Sequence, residues 1–85
     1  MSRKDKLVNK LLNLNASLTY QELATLLRLL GYSEIKTGKT AGSRRAFFND
    51  DTKHLIRLHQ PHPGNELKRY QKIYIIDELK KEKVI

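Results

Sequence analysis

The chain has 85 residues, no cysteine, and 17 lysines and arginines against nine aspartates and glutamates, a formal net charge of +8. A single domain of this size buries only about 60% of its unfolded surface, so function is expected on a surface or in a shallow cleft, not in a deep pocket. Lack of cysteine excludes a disulfide framework and a thiolate metal site, and the charged start "MSRKDK" with no long apolar run gives no sign of a secretion signal or a membrane span. The expectation is a soluble cytoplasmic protein. Its positive charge favours a polyanionic partner, nucleic acid before an acidic protein or an anionic membrane. The bland alternative is a basic solvated face.

In chain order, Leu7, Val8, Leu11, Leu12 and Leu14 form a helical stripe within Lys4–Leu14, which "NLNAS" then breaks. Thr19 and Glu22 have the spacing of a capping box, which predicts a second helix over Tyr20–Leu30 with Leu23, Leu26, Leu27 and Leu30 inward and Gly31 as its stop. "SEIK" reads as a brief strand and Gly38–Gly42 as a loop. Arg44–Phe48 and His54–His59 read as two strands of an antiparallel hairpin joined by "NDDTK". Period-two alternation puts Arg57 and His59 on one face of the second strand. In the first strand each face carries one arginine and one phenylalanine, so alternation does not choose the core side. After the prolyl turn "QPHPGN", Asn65 is the expected N-cap of a last helix from Glu66 to about Lys83. Leu67, Tyr70, Ile73, Tyr74, Ile76 and Leu79 are its apolar residues.

The layout is a small α+β domain, α-α-β-β-β-α, with helices on one face of a three-stranded antiparallel sheet. Double-stranded-RNA-binding domains share its α-β-β-β-α portion.

Two stretches carry candidate chemistry. In "GKTAGSRRAFF", Gly38 and Gly42 allow close backbone approach to a phosphate, while Lys39, Arg44 and Arg45 supply charge and bidentate forks. Neither a Walker pattern nor G-x-G-x-x-G is present, which disfavours a nucleotide cofactor. In "HQPHPGNELKR", His59 ends a strand, His62 lies in the turn, and Lys68 and Arg69 fall in the first turns of the expected helix, whose N-terminus suits an anion. Imidazole titrates near neutral pH and can act as general base or acid. RNA carries its own nucleophile, the 2′-hydroxyl, so a shallow basic site with proton-transfer groups suffices to cut it. His59 and His62 could instead simply hydrogen-bond the turn. As a metal pair they lack an evident third ligand beyond His54.

"ELATLLRLLGY", "GSRRAFF", "IRLHQPHPGNELK" and "IIDELKKEKVI", in this order over about Thr19 to Ile85, resemble the HicA family of bacterial toxins. Residues 1–18 then form an extra N-terminal helix and 19–85 the core. The resemblance implies a double-stranded-RNA-binding-like fold and an mRNA interferase, a ribosome-independent ribonuclease that arrests translation. It also implies a HicB-like antitoxin as partner, a protein that covers the active site and can bind operator DNA. Gly42 and Ser43 match the family's Gly-Ser, Glu66 to Lys68 match the start of its last helix, and His62 matches a turn histidine of many members. The family's catalytic histidine falls on Arg44, which stays protonated and is no ordinary general base.

Taken together, the residues and the resemblance assign catalysis to His59, His62 and Arg44. They assign RNA contacts to Lys39, Gly42, Ser43, Arg45, Arg57, Lys68 and Arg69, with no metal and no cofactor. The alternatives are a catalytically weak or inactive RNA-binding module and a protein-interaction module of the same fold.

Overall fold

The computed structural model describes residues 2–35, 44–59 (residue 44 by its backbone), 61 and 64–85. It is an α+β domain with the order α1 (Arg3–Leu12), α2 (Tyr20–Leu29), β1 (Tyr32–Ile35), β2 (Arg44–Asn49), β3 (His54–His59) and α3 (Arg69–Lys81). Among the described residues no helix is long and apolar enough to cross a membrane.

Local chemistry sets most boundaries. Ser2 caps α1, its hydroxyl accepting from the Asp5 amide at 3.2 Å. α1 ends at Leu12, two residues before the expected Leu14, where the Asn13 side chain accepts from the Asn15 amide in a tight turn at 3.0 Å. The capping box of α2 forms as expected: the Glu22 amide donates to Thr19 Oγ1 at 3.1 Å, and the Thr19 amide donates to Glu22 Oε1 at 3.0 Å. Gly31, at φ +98°, stops this helix in a conformation that a side chain would strain, and a Cβ there would stand 3.3 Å from Asn49 Nδ2.

The sheet runs β1-β2-β3, antiparallel throughout. The register pairs Tyr32 with Asn49 and Phe47 with Ile56, so Tyr32, Phe47, Asn49, Ile56 and Leu58 turn inward together. Phe47 is therefore the core phenylalanine and Phe48 is half-buried, which settles the ambiguity of β2. The other face carries Ser33, Ile35, Leu55, Arg57 and His59, all exposed. α2 and α3 cover the inner face, and α1 packs on both of them. Leu11, Leu23, Leu26, Leu27, Ile56, Ile75 and Leu79 are fully buried in the shared core.

Two expectations are overturned around the last helix. Asn65 is not an N-cap and Glu66 does not begin a helix: Glu66 forms an antiparallel bridge with Thr19 at the entry to α2. Here the Tyr20 amide donates to the Asn65 carbonyl at 2.7 Å and the Leu67 amide donates to the Leu18 carbonyl at 2.8 Å. A first-turn amide of α2 and a carbonyl ahead of it thus find partners in this segment, and that tertiary pairing outweighs local helix propensity. Gly64, at φ +84°, makes the bend that allows it. The inward face of α3 also differs from the expected one. It consists of Gln71, Lys72, Ile75 and Leu79, while Tyr70, Ile73 and Tyr74 are exposed.

Candidate nucleic-acid interface

The end of β3 and the start of β2 form one corner of the sheet. Antiparallel register sets Arg44 opposite His59 and Ala46 opposite Arg57, and paired strands lie about 4.8 Å apart. Ile56 and Leu58 are drawn into the core, so the intervening Arg57 and His59 are directed to solvent on the open face. The His59 imidazole makes no hydrogen bond to any described residue.

Gln71 ties the last helix to this corner. Its Nε2 donates to the His59 carbonyl at 2.9 Å, and its Oε1 accepts from the Lys68 amide at 2.9 Å. Lys68 is thereby the N-cap of α3 and Arg69 its first residue, both exposed. They sit nearer the helix start than the expected boundary implied, and that start is anchored to the residue that closes β3. Arg57 and His59 thus face solvent on the open face, with position 44 in register beside His59, while Lys68 and Arg69 are exposed at the start of the helix that Gln71 ties to the end of β3. Guanidinium groups offer phosphate a bidentate fork, and ammonium offers it a point charge.

Arg45 stands apart from these cations. It lies on the inner side of β2, 3.5 Å from Glu34, whose carboxylate also accepts a hydrogen bond from the Tyr20 hydroxyl. Burial, and then the neighbouring Glu34, push the Tyr20 phenol well above its usual range. Lys39, Gly42, Ser43 and His62 lie outside the described residues.

Two polar features escaped the sequence reading. The first is a hydrogen-bonded chain from β1 through β3 to α3. His54 Nδ1 meets the Tyr32 hydroxyl at 2.6 Å and His54 Nε2 meets Glu78 Oε1 at 3.0 Å. The hydrogen bond from His54 holds the Glu78 carboxyl below its usual range, and burial pushes the Tyr32 phenol up. His54 therefore faces inward while His59 faces outward, so His54 does not complete a metal site with it. Among the described residues, no three His, Cys, Asp or Glu side chains cluster around a point where a cation could bind.

The second is Lys72, 2% exposed, whose ammonium donates to three backbone carbonyls: Lys10 at 2.9 Å, Asn13 at 2.7 Å and Ala16 at 2.8 Å. It uses all of its donors on the C-terminal end of α1 and the turn after it. Burial, and then the nearby Lys10, lower its pKa. Although Lys72 belongs to the basic helix, its charge is unavailable to a ligand. A lysine among apolar residues is the only sign of it in the sequence, and that pattern equally describes a lysine at the rim of a helix face.

The chain matches no family model, no curated protein and no solved structure.

Proposed function

We propose that the protein is a toxin of the HicA type, with a double-stranded-RNA-binding-like fold: a cytoplasmic RNA-binding endoribonuclease that cuts mRNA and is silenced by a HicB-like protein. The observation that carries this reading is the exposure of Arg57 and His59 on the open face at the end of β3, in register with Arg44 and tied through Gln71 to the helix start that bears Lys68 and Arg69. The α-β-β-β-α order and the net charge of +8 agree with it.

In this reading the cations hold the phosphodiester and a histidine handles protons. A base takes the proton of the 2′-hydroxyl, the 2′-oxygen attacks phosphorus, and the bond from phosphorus to the 5′-oxygen breaks. An acid then protonates that leaving oxygen. His59 is the proton-transfer group placed at the corner, and His62, three residues further along the chain, is its candidate counterpart. Arg57 and Lys68 stabilise the charge that develops on the phosphoryl oxygens. Arg44, standing where the family has its histidine, grips phosphate without taking the proton.

That substitution favours one second reading, a domain that binds RNA but cuts it weakly. Steady-state cleavage of an unstructured RNA by wild type, His59→Ala and His62→Ala separates the two. Loss of one proton-transfer group lowers the rate about 10²- to 10⁴-fold, while RNA affinity stays within a few-fold of wild type. Wild type that binds RNA without cutting it selects the weak binder. Cleavage unchanged in His59→Ala removes His59 from the mechanism.

A further inference from the structure

The four tyrosines divide into two pairs. Tyr20 and Tyr32 are buried, and their hydroxyls are engaged by Glu34 and His54. Tyr70 and Tyr74 are 66% and 37% exposed, and neither hydroxyl bonds to a described residue. Neither ring contributes to the core, which α3 reaches through Ile75 and Leu79. Four residues apart on one helix, they stand on the same face with a rise of about 6 Å between them. Ile73, 48% exposed, lies on that face too.

The position of this face gives it meaning. Tyr70 is the residue between Arg69 and Gln71, and Gln71 is bonded to the His59 carbonyl at 2.9 Å. The aromatic pair therefore begins beside Lys68 and Arg69 at the start of α3 and leads away from them along the helix. Its far end is marked by Asp77, whose carboxylate is paired with Lys81 at 3.2 Å. An exposed aromatic pair that follows directly on the exposed Lys68 and Arg69 has the make-up of a single-strand nucleic-acid platform, in which cations track phosphates and rings receive bases. Base pairing would hide the base faces that such rings need.

We propose that Tyr70 and Tyr74 stack two unpaired bases of an RNA strand whose phosphates lie on Lys68 and Arg69, so that the protein selects single-stranded RNA. The proposal rests on the RNA reading above and adds to it the substrate class and the residues that choose it.

The test is equilibrium binding of a fluorescently labelled, unstructured RNA 12-mer to the full chain, alongside the same strand annealed to its complement. Tyr70→Ala and Tyr74→Ala each weaken single-strand binding about 5- to 150-fold, the range expected for losing one stacked base. Replacing both tyrosines by phenylalanine keeps the rings and keeps affinity within about twofold. Abasic nucleotides in the probe weaken wild-type binding and leave the variant carrying both Tyr70→Ala and Tyr74→Ala unaffected. Circular dichroism checks that each variant is folded. Alanine variants that bind the single strand as wild type does, while Lys68→Ala and Arg69→Ala bind it weakly, overturn the stacking proposal and leave the RNA reading standing. Equal wild-type affinity for single strand and duplex also overturns it. Wild type that binds no RNA at low salt overturns both. Alanine variants with unchanged RNA binding but reduced self-association in sedimentation identify the face as a protein contact and overturn the proposal.

Discussion

Lys72→Met is the perturbation whose cost follows most directly from the structure. Methionine has nearly the length of lysine, so the substitution deletes the ammonium and leaves the core volume almost unchanged. Three charge-assisted hydrogen bonds of 2.7–2.9 Å disappear. The Asn13 carbonyl keeps a partner, since it also accepts from the Ala16 amide at 2.9 Å. The Lys10 and Ala16 carbonyls keep none among the described residues. An orphaned buried polar group costs about 1–3 kcal/mol. Relief of the ammonium's desolvation opposes that loss, and water reaching the edge of α1 reduces it further. The net destabilisation is about 2–4 kcal/mol, which for a domain of this length lowers Tm by roughly 10–25 °C.

The pH dependence provides a second check on the same residue. Because the folded-state pKa of Lys72 lies below its ordinary 10.5, the unfolded chain binds more protons between the two values, and wild-type stability from this group rises with pH toward 10.5. The gap between wild type and variant therefore widens as pH rises through that window. Urea denaturation followed by circular dichroism at several pH values measures both effects, with an unchanged m value showing that the same surface unfolds. Hydrogen exchange should show α1 losing protection first. A variant within 0.5 kcal/mol of wild type, a threshold below the smallest cost of one orphaned carbonyl, would refute the assignment of Lys72 as the clamp on α1.

Three further outcomes are expected. Gln71→Ala frees the His59 carbonyl and the start of α3; it should destabilise the fold by about 1–2 kcal/mol and lower the rate of RNA cleavage more than RNA affinity, as a kcat-against-KM split would show. Glu78, held below its usual range by His54, contributes stability that is fully present above the ordinary carboxylate pKa and is lost as pH falls through the folded value. Glu78→Gln should flatten that acid limb in a thermal-melt series, and an unchanged acid limb would show that the His54 contact contributes no stability. Lys53, at φ +61° in the β2–β3 turn, is a non-glycine residue in the left-handed region; Lys53→Gly should raise stability by about 0.5–1 kcal/mol in chemical denaturation.

What could be read from the sequence was whatever depended on near neighbours. Thr19 and Glu22 signal the start of α2 because both halves of the box lie within one turn. Arg57 and His59 were placed on one face by the period of the strand alone. The start of α3 was misjudged because its rival is distant in the chain: the carbonyl of Asn65 and the amide of Leu67 are taken up by residues 18–20. The inward face of α3 was misjudged because apolar residues surround that helix. Tyr70, Ile73 and Tyr74 offer as much apolar surface as Ile75 and Leu79, and only the packing of α1 and β3 decides between them. The core side of β2 likewise depends on the pairing of Phe47 with Ile56. The candidate site shows the same division. His59 and Arg57 were identified from local pattern, whereas the Gln71 tether that fixes the start of α3 to the end of β3 joins residues 12 apart.

The measurement that bears most directly on the central claim is cleavage of a defined RNA by the purified wild-type chain in EDTA, against a copy with one 2′-deoxy nucleotide at the cut position, with the product ends identified by mass spectrometry. Histidine-driven attack by the 2′-hydroxyl predicts cutting of the all-ribose strand, a 2′,3′-cyclic phosphate on one product and a 5′-hydroxyl on the other. It also predicts no cut at the deoxy position. Equal cutting of both strands, or products bearing a 5′-phosphate, would contradict it.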